Sequence, residues 1–198
     1  MAADFGLRFY TQRRIGDELA ASLRLSRRPS VSIEGFPFLV HAFEGEFPSA
    51  SADGADLATG GITLNDVRLE LRDVRFSLGQ LVGGDATTIR ARSGDGTATL
   101  TAAELTRILR DQGAPVTVRI GAGGLTIESD LIPGSIRAKI RVDGRTIRIT
   151  AGGIPTPFAI QVPAFVEGLT LTGVQLQDGA AVLAFRLKEP VVRLDQGP

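Results

Sequence analysis

Apolar residues near the start of the chain recur at the spacing of a helix. They fall four to six residues apart between positions 4 and 25, with arginines between them. The series is Phe5, Phe9, Ile15, Leu19 and Leu23. Such a stripe is typical of an amphipathic helix that packs one face against a partner. Because a residue before proline avoids the helical region, Arg28-Pro29 ends the pattern, and we predict a helix over about residues 4–25.

Alternation of apolar and polar residues, the period of a half-buried strand, dominates the rest of the chain. In the segment from Gly61 to Leu78, odd positions carry Val67, Leu69 and Leu71, and even positions then carry Val74, Phe76 and Leu78. The phase therefore changes at Asp73. A β-bulge produces such a change and bends the strand, so the segment predicts a curved sheet. Further alternating runs lie at 116–120, 125–127, 136–142 and 147–149.

Two of the strand segments share a spacing. The residues Gly61, Thr63, Leu64, Val67 and Leu69 are matched by Gly168, Thr170, Leu171, Val174 and Leu176. This shared spacing predicts two related strands in the sheet.

A capping-box pattern opens a second helix. Thr101 precedes two alanines and Glu104, the arrangement in which a threonine and a glutamate side chain satisfy the free N–H groups of a first turn. Leu105, Ile108 and Leu109 follow at helical spacing, and a glycine ends the run. We predict a helix over about residues 102–112.

Residues 35–39 read Gly-Phe-Pro-Phe-Leu and place two phenylalanines around a proline. Apolar residues continue at helical spacing from Phe38 through Leu39 and Phe43, and Gly45 follows. The pattern predicts a turn and then a short apolar helix. Its apolar side chains form either the wall of a pocket or ordinary core.

A hairpin with one basic face is predicted around Asp143-Gly144, a strong two-residue turn. With this turn, Ile140 lies opposite Ile147 on an apolar face. The other face carries Arg137, Lys139, Arg141 and Arg148. Lys139 would lie directly opposite Arg148, and like charges so placed repel. An anionic lipid headgroup would relieve the repulsion; the alternative is an edge hairpin whose charges prevent aggregation.

The composition is that of an ordinary globular protein and excludes several classes of function. The 198 residues are 43% hydrophobic and include 22 basic and 22 acidic residues, so no net charge attracts nucleic acid. The absence of cysteine excludes disulfides and thiolate metal sites. No apolar run approaches the roughly 20 residues that span a membrane, and Met1-Ala2-Ala3-Asp4 lacks the apolar region of a signal peptide.

No catalytic, metal or cofactor site stands out in the sequence. His41 is the single histidine, and no Gly-x-Ser-x-Gly elbow is present. Segment 121–124 lacks the spacing of a phosphate-binding loop, and segment 51–56 lacks the pattern of a calcium loop. We therefore expect a protein that is not an enzyme and takes no cofactor. An acid–base hydrolase acting on lipid or glycan would have to use scattered carboxylates.

The segment from Val31 to Leu39 resembles the signature of the actinobacterial LmeA family of phospholipid-binding proteins. It follows a helix that ends near Pro29 and precedes Gly45-Glu46-Phe47, as in that family. The resemblance covers nearly the whole chain, although Val40-His41-Ala42 stands where polar residues are commoner in the family. Further similarity lies in the strand at 61–78, in the segment 96–105 and in the tail from 168.

The resemblance implies an α+β fold with a strongly curved, mostly antiparallel β-sheet wrapped around helices, similar to a tubular lipid-binding domain. One lipid-binding domain would span residues 1–198, with an apolar cavity for acyl chains. The expected wall or mouth of the cavity is formed by Phe36, Pro37, Phe38, Leu39, Phe43, Val67, Leu69, Leu71, Ile140 and Ile147. The expected headgroup or membrane surface is formed by Arg137, Lys139, Arg141 and Arg148.

We therefore expect a protein that binds an anionic phospholipid at a membrane surface and does not bind nucleic acid. The family context implies an extracytoplasmic or periplasmic place in the bacterial cell envelope, with an N-terminal signal or anchor upstream, and a role in lipid or lipoglycan transport or maturation. The alternative is a scaffolding protein of the envelope that binds a protein partner through an apolar patch or a sheet edge. A continuous apolar tunnel would favour lipid, and a filled core with a flat patch would favour a partner.

Overall fold

Strands make up most of the computed structural model, which describes residues 2–22, 25, 27–83, 87–129, 132–153 and 157–194. The helices in these residues are α1 (Ala2–Ser22), α2 (Phe38–Glu44), α3 (Leu78–Gly83) and α4 (Ala102–Asp111). The strands are β1 (Ser30–Glu34), β2 (Glu46–Gly54), β3 (Leu57–Thr59), β4 (Ile62–Arg75), β5 (Thr87–Thr101), β6 (Val116–Gly121), β7 (Gly124–Ser129), β8 (Ile132–Asp143), β9 (Thr146–Ala151), β10 (Phe158–Gln161), β11 (Leu169–Gln177), β12 (Ala180–Lys188) and β13 (Val191–Leu194).

The strands form two antiparallel sheets. The larger sheet has the order β1-β2-β4-β5-β12-β11, with β3 paired to β4 and β13 paired to β5. The smaller sheet has the order β10-β9-β8-β7-β6. Among the described strands neither sheet closes on itself. The predicted α+β class with mostly antiparallel strands is confirmed, whereas a strong curvature that wraps the helices stays a prediction.

The predicted phase change in β4 lies where the sequence placed it, but it is not a bulge. Leu71 and Val74 are both buried, and Asp73 between them has a φ of 53°. The pairing with β5 nevertheless stays in register across Asp73. The register shift of β4 lies earlier, between Asn65 and Arg68. The prediction of a bulge at Asp73 is therefore wrong, because one residue in the left-handed region reverses the alternation without inserting an extra residue.

The two segments with the shared spacing are both strands of the larger sheet, as predicted. Each segment begins at a glycine with nearly the same conformation, since φ is 79° at Gly61 and 77° at Gly168. Strand β11 also has a register shift, between Leu171 and Gly173, close to the position that corresponds to the shift in β4. The two strands are not neighbours in the sheet.

The hairpin of β8 and β9 has a different register from the predicted one. Asp143 pairs with Thr146, so the turn is Gly144-Arg145, and Ile140 lies opposite Ile149 rather than Ile147. The turn shifts because Gly144 takes the left-handed conformation, with a φ of 59°, which a glycine adopts without steric cost. Strand β8 also lies between β7 and β9, so it is not an edge strand.

Helix α4 confirms the predicted helix and its Thr101 cap, but not the reciprocal Glu104 bond of a capping box, and it ends one residue before the predicted boundary. The Thr101 hydroxyl accepts a hydrogen bond from the Glu104 N–H at 3.1 Å. The Glu104 carboxylate accepts one from the backbone N–H of Thr63 at 2.6 Å and thereby ties the helix to β4. The hydrogen bond from Arg107 is the largest cause that holds the pKa of Glu104 below its ordinary value, against the opposing effect of burial. Leu105, Ile108 and Leu109 are buried.

Helix α1 packs against the rest of the protein with only part of the predicted stripe, to which the half-buried Leu19 belongs. Ile15 is buried as expected, but Thr11 and Glu18 are buried beside it. Phe5 and Phe9, which we expected on the packed face, are 61% and 65% exposed. The helix begins at Ala2 and runs to Ser22, and Leu23 lies outside the described residues. The prediction was wrong because it assumed that apolar side chains mark the packed face.

The helices of the described part are all too short or too polar to cross a membrane.

Candidate functional site

Most of the exposed large apolar side chains lie on the first two turns of α1 and between Phe36 and Phe43. We call this surface the aromatic end; it consists of Phe5, Phe9, Phe36, Leu39, Val40 and Phe43. Phe43 is 93% exposed and Phe36 is 73% exposed. Helices α1 and α2 meet here, because the Asp4 carboxylate at the start of α1 accepts a hydrogen bond from the Leu39 N–H at 2.9 Å.

The local sequence explains why the Gly-Phe-Pro-Phe block points both inward and outward. Phe36-Pro37 is a cis peptide, and Pro37 immediately precedes α2 in an extended conformation. Phe38 turns into the core, where its ring lies 5.4 Å from that of Phe47, and Phe47 stacks on Phe76 at 4.7 Å. The predicted short apolar helix is confirmed, but only its inner side is covered.

An open cleft of about 1020 Å³ lies beside the aromatic end. We call it the amphipathic cleft because its two walls differ in character. The apolar wall is formed by Leu7, Leu39, Ala42, Phe43, Phe76 and Leu78. The polar wall includes Arg75, Thr88 and Arg90 from the ends of β4 and β5, with Glu44 and Glu46 on the side of α2 and β2.

A second apolar space, the aliphatic groove, lies under the C-terminal half of α1. It is lined by Leu19, Leu25, Pro29, Ala52, Leu57, Val67, Leu69, Phe165, Val166 and Val192, among others. Its volume is about 70 Å³. It is much smaller than the amphipathic cleft.

The ten residues expected around an acyl cavity lie in several places. Leu39 and Phe43 border the amphipathic cleft, with Phe36 exposed and Pro37 beside them, and Val67 and Leu69 line the aliphatic groove. Phe38, Leu71 and Ile147 are buried in the core, and Ile140 is half-buried in the smaller sheet. The structure brings together the residues of α2 but not the whole set, and a lipid contact for each stays a prediction.

The four basic residues expected to face a headgroup share the outer face of the smaller sheet. Arg137, Lys139, Arg141 and Arg148 are all exposed. Because of the register, Arg141 rather than Lys139 lies directly opposite Arg148. Arg148 contacts the Asp143 carboxylate at 3.0 Å. In the described part of the chain, the other three have no carboxylate within 4 Å.

Sequence reasoning missed the exposure of Phe5 and Phe9 and the pairing of Arg75 with Arg90. The first had no sequence signal, because Thr11 and Glu18 are polar and their stripe of α1 would be expected to face solvent in place of the phenylalanines. The second had no local signal, since the two arginines belong to strands joined through α3 and residues 84–86. No group of acidic, histidine or cysteine side chains that could hold a metal ion occurs among the described residues.

Comparison with known families gives one match. A family model described as LmeA-like phospholipid-binding matches residues 2–196. No curated protein and no solved structure matches the chain.

Proposed function

The chain belongs to the LmeA-like phospholipid-binding family, and from this premise we propose that it is a non-enzymatic protein that takes a phospholipid from a membrane and shields its acyl chains. The single observation that carries the proposal is the aromatic end beside an open amphipathic cleft. Single exposed apolar residues are common on proteins, but several large ones on two helices that contact each other favour an interaction surface.

The chemistry of the aromatic end suits the interface of a lipid bilayer. Aromatic and aliphatic side chains on one face of a helix enter the boundary between headgroups and acyl chains, while basic side chains stay at headgroup level. Arg13 lies one helical turn after Phe9 and is exposed on α1. Burial of a phenylalanine contributes about 1.5–3 kcal/mol, so a few such side chains are enough for reversible membrane contact.

We place the acyl chains between α1 and the inner face of the larger sheet. Leu7 of α1 lines the amphipathic cleft and Leu19 lines the aliphatic groove. The two spaces therefore lie under one helix about 18 Å apart, at 1.5 Å per residue. Helix α1 contributes one fully buried large apolar side chain, Ile15, within its described residues. Leu7 and Leu19 pack against the core while only partly buried, and Asp4 and Asp17 make polar contacts with Leu39 and Arg28. This limited apolar attachment supports a displacement of α1 by acyl chains.

Two buried polar groups of α1 do not tie it to the sheet. The Thr11 hydroxyl donates to the Leu7 carbonyl oxygen of the same helix at 2.8 Å, and Glu18 pairs with Arg14 one turn away at 3.0 Å. These contacts move with the helix, so displacement of α1 does not leave either group without its partner. A hydrophobic interface of the same area would resist displacement more strongly.

The place of action and the lipid class belong to the same proposal. We expect the protein outside the cytoplasmic membrane in the bacterial cell envelope, supporting lipid or lipoglycan transport or maturation. A preference for anionic phospholipid is supported by the exposed basic face of the smaller sheet, since each basic residue near an anionic surface contributes about 1 kcal/mol.

Lipid extraction tests the proposal. Purified protein is incubated with anionic liposomes and re-isolated, and its organic extract is examined by mass spectrometry for stoichiometric phospholipid. We expect bound phospholipid in the wild type and at least a tenfold loss in a Phe9→Asp/Phe43→Asp variant, because charges at these exposed positions oppose membrane insertion. Leu176→Asp is the matched control, since Leu176 is also exposed but lies on β11. An equal loss in the control would refute the role of the aromatic end.

A cross-link tests the displacement of α1. A Cβ atom placed on Gly16 would lie 3.3 Å from Cγ of Arg28, and the chain has no other cysteine to compete. The Gly16→Cys/Arg28→Cys variant should therefore form a disulfide that holds α1 beside β1. We expect the oxidised form to bind liposomes but take up no lipid, and reduction to restore uptake. Equal uptake in both redox states would contradict this location of the acyl chains.

The scaffolding alternative rests on the filled core and on the aromatic end. Within the described residues, the apolar space under α1 is small, and the exposed apolar side chains give a surface that a protein partner would also fit. An empty extract together with no uptake from liposomes would favour this alternative.

A further inference from the structure

The outer face of the larger sheet carries a row of arginines, most of which pair with carboxylates. The pairs are Arg68–Asp53 at 3.5 Å, Arg72–Asp95 at 2.9 Å, Arg75–Glu46 at 3.0 Å, Arg92–Asp73 at 3.0 Å and Arg186–Asp95 at 3.3 Å. Arg90 is exposed on the same face and has no carboxylate within 4 Å among the described residues. Lys188 and Arg193 share this property, but they do not line the amphipathic cleft.

Arg90 also lies directly opposite Arg75. The two residues are paired across β4 and β5, and like charges in this position repel. Both side chains line the amphipathic cleft, where Thr88 lies two residues from Arg90 on the same face of β5. Such a pair is held together more favourably when an anion lies between the two guanidinium groups.

We propose that Arg75 and Arg90 bind the phosphate of a phospholipid headgroup in the amphipathic cleft. This inference rests on the proposed function and names the headgroup site within it. Guanidinium groups donate two parallel hydrogen bonds to phosphate oxygens, and the Thr88 hydroxyl is a further donor. The apolar wall of Leu7, Leu39 and Leu78 takes the first part of the acyl chains.

Two carboxylates also face the cleft and set the selectivity of the site. Glu46 pairs with Arg75 at 3.0 Å, so the two charges partly compensate each other and a phosphate competes with Glu46 for Arg75. Glu44 has no basic side chain within 4 Å among the described residues and repels an anionic headgroup. The site therefore suits the single charge of a phosphodiester better than the higher charge of free phosphate.

Binding of short-chain lipids tests the proposal without a membrane. Calorimetry compares dihexanoyl-phosphatidylglycerol with dihexanoylglycerol, which has the same chains and no phosphate. We expect at least tenfold tighter binding of the phosphatidylglycerol by the wild type. Arg75→Gln/Arg90→Gln should abolish this difference and leave dihexanoylglycerol binding unchanged. The control Arg68→Gln/Arg186→Gln removes the same charge from the same face and should keep the difference.

The remaining outcomes separate the headgroup site from the proposed function. Equal loss of both lipids in Arg75→Gln/Arg90→Gln, or a loss of the difference in the control, would overturn the phosphate site while lipid binding stands. Binding of neither lipid by the wild type would refute the proposed function itself. Inorganic phosphate is titrated separately. If the wild type bound it at millimolar concentration and bound the two lipids equally, the site would be assigned to free phosphate and the headgroup proposal would be overturned. Glu44→Gln should bind phosphatidylglycerol more tightly, by about two- to fivefold, and weaker binding would also overturn the proposal.

Discussion

Helices α4 and α1 differ in how they use the same kinds of side chain. Helix α4 has ten residues, a threonine cap and three buried apolar side chains, and its charged residues pair within the helix or with the neighbouring strands. Helix α1 has 21 residues but buries one large apolar side chain and two polar ones among its central residues, while Phe5 and Phe9 face solvent. The shorter helix is therefore the better anchored one.

The difference indicates that the two ends of the molecule serve different purposes. Around α4, both sheets and the helix share one core, and side-chain hydrogen bonds such as that from the Val118 N–H to the Thr106 hydroxyl close it. Around α1 and α2, apolar side chains are exposed although buried positions nearby are polar. Exposed apolar side chains of this kind are typical of an interaction surface, and the proposed function assigns this one to a lipid.

The largest expected effect is a loss of stability at the α4 end. Leu109 is fully buried, and its replacement by alanine leaves a cavity in a packed core. We expect Leu109→Ala to lower the free energy of unfolding by about 2–5 kcal/mol, measured by urea denaturation. A loss below 1 kcal/mol would show that the core around α4 relaxes and that the two ends do not differ as described.

Hydrogen exchange should separate the two helices without any mutation. Amides in the middle of α1 are expected to exchange at least a hundredfold faster than those of α4, because few apolar contacts oppose the local opening of α1. Mass spectrometry of peptides covering residues 2–22 and 102–111 gives the comparison. When lipid is added and binds, the exchange rates of the α1 amides should change and those of the α4 amides should not. Equal protection of both helices in the free protein would contradict the displacement of α1.

The stabilising contact of Glu104 should depend on pH. The hydrogen bond from Arg107 lowers the pKa of Glu104 from its ordinary value of 4.5, so its ionised form is favoured in the folded state. The stability that this gives is present above the pKa of the unfolded chain and is lost as the pH falls through the lowered folded value. The wild type should therefore exceed Glu104→Gln in stability at pH 7, with the difference shrinking below pH 4.5. If the stability difference between the wild type and Glu104→Gln grew on acidification, ionised Glu104 would not be the stabilising form.

The smallest expected effect on stability is at the aromatic end. Phe9→Ser should change the free energy of unfolding by less than about 0.5 kcal/mol, because an exposed side chain loses few contacts. The same variant should bind liposomes several-fold less tightly, measured by flotation. Tyr10→Ser is a neighbouring control, since Tyr10 is exposed on α1 outside the aromatic end. A large loss of stability in Phe9→Ser would show that the side chain packs in solution.

Local patterns predicted the elements but not the contacts that build the candidate site. The cap of α4 was predicted because Thr101 and Glu104 are three residues apart and act within one turn. The hairpin was predicted with the correct strands and the wrong partners, because Gly144 can begin the turn as well as end it. Arg75 lies opposite Arg90 because of the register in which β4 and β5 pair, and a helix separates these strands in the sequence. The spacing of residues within either strand does not predict that register.

The sequence by itself determined the family, the mostly antiparallel α+β class and the positions of α2 and α4, because these follow from short-range periodicity and from a block of adjacent residues. Only the tertiary structure decided which face of α1 is covered. A helix places apolar and polar stripes side by side, and the choice between them depends on what the neighbouring strands and α2 offer. Here Asp4 bonds to Leu39 and Ile15 enters the core, so the rotation of α1 leaves Phe5 and Phe9 in solvent.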